Sequence, residues 1–342
     1  MKQSSPAFRI HFVCRGNTYR SRLAAAYFAQ KAGERFSVSS SGLEPERARV
    51  ATSEAYTQAV AKRHGLTTGL RARKTATSQA LLAAADVIIF MNGDVYDEAA
   101  QRFQFDARQA TVWHIPDLSH EVQHRYDQTH DVRAVEVAAE RTYAKIVAAG
   151  DELLAYLTKT SWVDVVDHDN QPLGFRLPIN WATDRGLWHR GVHVVVKTAD
   201  GKFVVGKRVP TIVFAPGMLE ISLGGGIDAG ETPLQAAVRE SGEELGVSLP
   251  VSHFRPLFMY RSVSYHPHYK KHSRVHLYVY CATLPVHSSR LHAQPGEVAE
   301  LRLLSKRQVK HLLRTHRMTN FGALKWSYKL YQKAVAYSSL PA

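Results

Sequence analysis

The sequence predicts two successive domains of different class: an α/β domain with a parallel sheet flanked by helices over 1–160, then an α+β domain over 161–342. Three observations lead there. At 342 residues the chain exceeds one ordinary domain of roughly 100–200 residues. Its first half alternates short apolar runs with helix-like segments, the pattern of parallel strands joined by helical crossovers. After Leu157, strand-like runs follow one another with turns between them, and helices become sparse.

Taken in order, Arg9–Val13 (RIHFV) reads as a buried strand, Arg22–Lys31 as a helix and Phe36–Ser40 as a second strand. Helices are expected around Ser53–Arg63 and Ser78–Ala84, followed by the apolar strand Val87–Met91. A short strand at Thr111–His114 precedes a long helical stretch from about His130 to Leu157. In the second half, Trp162–Val166, Gly191–Lys197, Lys202–Lys207, Pro256–Ser262 and His276–Cys281 read as strands, with Ala199-Asp200-Gly201 as a turn. Helices are expected at Thr232–Leu245, near Ser305–Arg314 and near Phe321–Tyr337.

Hydrophobic residues at 45% and charged residues at 22% exclude collagen, coiled coil and wholesale disorder. Lysine and arginine number 44 against 30 acids, a net charge of +14 that suits phosphate-bearing or polyanionic partners. That excess divides as +4 over 1–160 and +10 over 161–342. Two cysteines, Cys14 and Cys281, exclude a disulfide framework and a cysteine-built zinc site, and fit a reducing compartment. The apolar run near the N-terminus is too short for a signal peptide. The run ALLAAADVIIFM carries Asp86 and falls short of the roughly 20 residues that span a bilayer. A soluble cytoplasmic protein without membrane association is expected.

The first chemical signal is CRGNTYRS, Cys14 to Ser21, between a strand and a helix. Such a loop points backbone N–H groups at one spot and receives the positive end of the helix dipole, so it binds a phosphate dianion. The same field stabilises a thiolate, making Cys14 a candidate nucleophile. Arg20 can grip phosphate oxygens bidentately. Gly16 and Asn17 suit the positive φ of an anion nest, and Ser21 can donate to the thiolate. These residues resemble the low-molecular-weight protein tyrosine phosphatase family over about 7–158. The resemblance implies a phosphate-binding loop formed by Arg15, Gly16, Asn17, Thr18, Tyr19 and Ser21, with Arg20 holding the transferring oxygens. WHIPDLSH supplies Asp117 where the family places its general acid. It further implies cysteinyl-phosphate chemistry without a cofactor, on a phosphorylated protein or small phosphomonoester. Departures are Leu118 after that aspartate, Ser119 and His120 where aromatic residues flank the substrate in many members, Leu43 near the opposite wall, and Tyr19 in place of a frequent second cysteine.

The second signal is GGIDAGETPLQAAVRESGEELGV, residues 225 to 247. Thr232-Pro233-Leu234-Gln235 reads as a capped helix start and Gly246 as its stop. Glu240, Glu243 and Glu244 then share one helical face, where like charges cost roughly 0.2–0.5 kcal/mol per pair. A hard divalent cation reverses that penalty. The spacing of Gly225, Glu231, Arg239, Glu240, Glu243, Glu244 and Gly246 resembles the Nudix box, with Ser241 as a departure from the usual aliphatic residue. The resemblance implies a Nudix fold over 161–342 and Mg2+ or Mn2+ held by Glu240, Glu243 and Glu244. It also implies that Glu243, or its neighbour Glu244, helps to activate water, and that an Arg239–Glu231 salt bridge orients the set. Hydrolysis of a nucleoside diphosphate linked to another group is the implied reaction.

The flanks TDRGLWHRGVHVVV, DGKFVVGKR and PGEVAELRLLS are similar to the Nudix branch related to isopentenyl-diphosphate isomerase. That isomerase needs a cysteine before a degraded box, whereas Ser222-Leu223-Gly224 precede an intact box here, which favours hydrolysis. Glu297 and Glu300 are alternatives for a further metal ligand or plain surface acids. His189 and His193 read as structural. The basic, aromatic stretch between His253 and His276 fits an exposed strand pair, and nucleic acid is not an expected partner. The expected activity is that of a two-headed hydrolase; the alternative is a phosphatase regulated by a nucleotide-sensing Nudix domain without turnover.

Overall fold

A computed structural model describes residues 7–46, 50–66, 70, 73–118, 132–211, 216–266, 271–284, 291–293, 295–315, 317–318 and 332–336. The chain forms two units, one of Met1–Thr160 with Phe175–Leu177 and the other of Ser161–Gly174 with Pro178–Ala342.

The first unit is built on β1 (Phe8–Cys14), β2 (Phe36–Gly42), β3 (Val87–Phe90) and β4 (Ala110–Val112), in the order β2-β1-β3-β4. All three pairings are parallel. The helices are α1 (Arg20–Ala32), α2 (Val50–Arg63), α3 (Gln79–Ala84), α4 (Gly93–Arg102) and α5 (Val132–Thr158). Ile10, Phe12, Val13 and all of β3 are buried, as expected of parallel strands covered on both faces. Thus ALLAAADVIIFM is α3 followed by a core strand. No helix among the described residues is long and apolar enough to cross a membrane.

The carboxyl end of β1 carries Cys14 opposite Gly42 of β2. The loop after Cys14 lies directly on that glycine: a Cβ there would stand 2.4 Å from Asn17 N and 2.7 Å from Gly16 C. Helix α4 was not anticipated from sequence; Asn92 stands at its N-cap position without a side-chain capping bond.

The second unit contains a nine-stranded mixed sheet. Its main path is β11 (Phe254–His266), β12 (Lys271–Leu284), β7 (Trp188–Thr198), β5 (Trp162–Val166) and β6 (Pro172–Pro178). Off this path lie β8 (Phe203–Arg208), β9 (Leu219–Glu220), β10 (Ser222–Leu223) and β13 (Val298–Leu304). The helices are α6 (Ile179–Asp184), α7 (Pro233–Leu245) and α8 (Lys306–Arg314). Strand β7 is apolar on both faces: Val192, Val194 and Val196 pack with Ala236, Ala237 and Leu245 of α7, while Val195 packs with Val309 and Leu313 of α8. Strands β6, β9, β10 and β13 and helix α6 were not anticipated from sequence. Of the helix expected near Phe321–Tyr337, residues 332–336 are helical and the rest lies outside the described residues.

His189 and His193 lie on β7 and are buried, and that burial pushes both imidazoles down to about 4. The unfolded chain protonates them near the ordinary 6.5, so it binds more protons than the folded chain between those values. Stability contributed by neutral burial is therefore present above 6.5 and is lost as pH falls toward 4. Thermal denaturation is expected to show His193→Gln losing less stability than wild type on acidification from about pH 7 to 4.5, by on the order of 2 kcal/mol. In the first unit, Gly42→Ala is expected to cost about 1–3 kcal/mol through overpacking against backbone, read as a lowered Tm.

Candidate active sites

The first site begins with the thiol. Cys14 is buried, and its Sγ accepts from Asn17 N at 3.2 Å and lies 3.0 Å from Ser21 Oγ. Of the two residues expected at positive φ, Asn17 alone adopts it, at 44°. The reason is the asparagine side chain: its Nδ2 donates to Ser21 Oγ at 2.9 Å and Ser40 Oγ at 3.1 Å, while Oδ1 accepts from Thr75 N at 2.7 Å. Those bonds compensate an unfavourable backbone angle and aim the Asn17 N–H at sulfur. Thr18 and Tyr19 contribute differently. Thr18 Oγ1 donates to Gly16 O at 3.2 Å, and the buried Tyr19 hydroxyl donates to Ala139 O on α5 at 2.7 Å. Burial pushes the Tyr19 phenol well above its ordinary range.

Arg20, the first residue of α1, is 3% exposed. Its Nη1 donates to Asn92 Oδ1 and to Ile115 O, both at 3.0 Å, and its Nη2 donates to Asp117. The structure therefore brings Arg20 and Asp117 together from sequence positions 97 residues apart. Arg15 instead reaches Asp94 at 2.9 Å and Glu98 at 2.7 Å on α4. Leu43 and Leu118 are buried, whereas Ser119 and His120 lie outside the described residues. Asn92 is a site residue that the sequence reading missed. Its signal was an asparagine at the carboxyl end of a buried parallel strand beside β1, where α/β sheets gather ligands.

The second site is organised by α7. Thr232 and Gln235 form the expected reciprocal cap, Pro233 opens the helix, and Gly246 closes it in the left-handed conformation. Arg239 then holds three carboxylates. Its Nε and Nη2 meet the two oxygens of Glu231, each at 2.9 Å, and its Nη1 reaches Glu240 at 2.8 Å and Glu243 at 3.3 Å. Its Nη2 also donates to Gly226 O at 3.0 Å. Glu244 Oε1 accepts from Gly224 N at 2.7 Å. Gly224 has φ 144°, and a Cβ there would lie 1.9 Å from Val192 O, so only glycine can present that N–H. A Cβ at Gly225 would stand 2.6 Å from Glu240 Oε1. Ser241 is fully buried, and its Oγ donates to Ala237 O at 2.7 Å, which satisfies a hydroxyl where an aliphatic side chain was expected.

Burial pushes the Glu240 carboxyl up to about 7, with repulsion from Glu243 and Glu297 adding to it and Arg239 opposing it. Burial likewise pushes Glu244 up to about 8, opposed by the Gly224 N–H and reinforced by Glu220, Glu240 and Glu297. Of the two acids considered as further ligands, Glu297 thus acts on this set. Glu300 is exposed and paired with Arg302 at 2.7 Å. The donors on α7 are hard carboxylate oxygens, the chemistry that magnesium and manganese accept. Among the described residues, no three His, Cys, Asp or Glu side chains converge as a ready metal-holding group. Glu240 and Glu243 lean on Arg239, and Glu244 on the backbone.

Comparison with known proteins finds two domains. The family model for the low molecular weight phosphotyrosine protein phosphatase matches residues 9–161, and that for the NUDIX domain matches residues 187–326. The uncharacterized Nudix hydrolase YfcD of Salmonella typhi is 39% identical over 92 residues, 27% of this chain and 50% of the relative. The chain thus spans about half the length of the curated relatives it matches. Among solved structures, the tyrosine phosphatase Wzb of Escherichia coli K30, in complex with sulphate, is 17% identical with a TM-score of 0.35, covering 44% of this chain and 97% of Wzb. The Nudix hydrolase RenU of M. smegmatis is 20% identical with a TM-score of 0.34, covering 53% of this chain and 98% of RenU. The chain carries, in tandem, a low molecular weight phosphotyrosine protein phosphatase domain and a NUDIX hydrolase domain.

Proposed function

We propose that the protein is a two-headed hydrolase with working boundaries at 1–160 and 161–342. Its N-terminal site hydrolyses a phosphomonoester on a protein or small molecule, of the phosphotyrosine type. Its C-terminal site hydrolyses a nucleoside diphosphate linked to another group, with Mg2+ or Mn2+. The observation that carries the first reading is the thiol of Cys14 receiving the Asn17 N–H at 3.2 Å and standing 3.0 Å from the Ser21 hydroxyl. The paired Arg20 and Asp117 complete the group.

In the proposed reaction the Cys14 thiolate attacks phosphorus, forming an S–P bond as the ester P–O bond breaks. Asp117 gives its proton to the leaving oxygen, and Arg20 turns from Asp117 to the transferring oxygens. Asp117 then takes a proton from water, which attacks phosphorus and releases phosphate and the thiolate. A cytoplasmic location belongs to this reading, because a thiol nucleophile stays reduced there.

For the second site, Glu240, Glu243 and Glu244 are the proposed metal ligands. When bound, the cation offsets substrate charge and stabilises the departing phosphate. Arg239 and Glu231 orient the carboxylates, and Gly224 N fixes Glu244. The Glu243 side chain is 49% exposed and held by one longer contact to Arg239, which supports it as the carboxylate that takes a proton from water. Cys14→Ser is expected to lower phosphomonoester hydrolysis by on the order of 1000-fold or more while leaving diphosphate cleavage intact. Glu243→Gln should do the reverse. EDTA is expected to abolish only the second activity. Assays of the full chain on p-nitrophenyl phosphate and on a panel of nucleoside diphosphate derivatives check all three outcomes. Loss of both activities from either substitution would refute two independent sites.

A further inference from the structure

We propose that Asn92, Asp94 and Arg15 form a polar tie that positions Arg20 and joins the two ends of the Cys14–Arg20 loop. The proposal rests on the phosphatase reading of the first site. It begins from what a guanidinium can do: five N–H groups donate and none accepts. Both hydrogens of Arg20 Nη1 are taken, by Asn92 Oδ1 and Ile115 O at 3.0 Å each. Nη2 is held by Asp117. The tie therefore fixes one corner of the guanidinium, so that a phosphate displacing Asp117 from Nη2 would meet the Nε–Nη2 edge.

The orientation of the Asn92 amide follows from chemistry. Its oxygen must face Arg20, which only donates, so its Nδ2 faces and donates to Asp94 Oδ1. The other oxygen of Asp94 accepts from Arg15 Nη2 at 2.9 Å. Arg15 Nη1 donates one helical turn further along α4, to Glu98 at 2.7 Å. Arg15 directly follows Cys14 and Arg20 opens α1, so the first turn of α4 bridges the start and end of the phosphate loop. Exposure grades along the tie: the side chain of Arg20 is 3% exposed, that of Arg15 40% and that of Asp94 56%. Exposed ion pairs add little to stability. The outer part of the tie should therefore affect Arg20 placement far more than it affects folding.

The test uses the full chain with p-nitrophenyl phosphate in EDTA, inhibition by inorganic phosphate and vanadate, and Tm. Asn92→Ala is expected to lower kcat/KM by about 10–100-fold and Asp94→Ala by about 3–10-fold, with both inhibitors weakened in parallel. Tm should stay near wild type for Asp94→Ala and Arg15→Ala. Adding Arg15→Ala to Asp94→Ala should cost little more, since both cut the same chain. Asn92→Asp sets two carboxylates against each other and should impair the enzyme. Combining it with Asp94→Asn restores a donor and should recover activity. An active wild type with all single variants within about twofold would overturn the tie alone, as would absence of rescue in the exchanged pair. A wild type that neither hydrolyses p-nitrophenyl phosphate nor binds phosphate or vanadate would overturn the phosphatase reading and the tie with it.

Discussion

A guanidinium removed from water must have its donors met, and both halves of this chain are arranged around that demand. Arg20 meets it with a side-chain amide from one stretch of the first unit, and with a backbone carbonyl and a carboxylate from another. Arg239 meets it with Glu231, Glu240, Glu243 and Gly226 O. The chemistry differs, yet the logic is shared. An arginine is oriented by the protein's own acceptors, and the groups it holds are those that the proposed reactions employ. Glu240, Glu243 and Glu244 would repel one another on a bare helix; Arg239 makes that helix tenable.

The second common element is backbone brought closer than side chains allow. At Gly42 the loop after Cys14 rests on the neighbouring strand. At Gly224 a positive φ delivers an N–H to Glu244. Asn17 achieves a comparable result with a side chain, by spending three hydrogen bonds on one strained residue. Preorganisation of this kind sets the groups before any ligand arrives, which is where a static site gains most.

Much of this was legible in the sequence because the signals were local. The strand, Cys14, Asn17, Arg20 and helix follow in one stretch, and the cap at Thr232 and Gln235 and the carboxylates of α7 lie within another. Contacts between distant segments were harder. No local motif marks Asn92, and only the fold puts it against Arg20. Strand β6 alternates Leu173, Phe175 and Leu177, but Pro172, Gly174 and Pro178 give it the residues of a turn; it sits at a sheet edge, where proline is tolerated. Strand β13 places Glu300 and Arg302 between apolar residues and stands out in the sequence only as part of a motif, not as a strand. Gly16 was expected at positive φ on residue type alone, but the hydrogen bonds available to Asn17 decided which residue took that angle.

Strand order also governs when the first site can come into being. In the order β2-β1-β3-β4, β1 lies between β2 and β3, and the latter begins only at Val87. Tyr19, at the end of the loop, is anchored on α5 through Ala139. During synthesis, Cys14 therefore leaves the ribosome long before its strand can acquire both neighbours. Such non-local pairings are late steps in folding. Cys14 is among the first groups made, but its surroundings are among the last to be assembled.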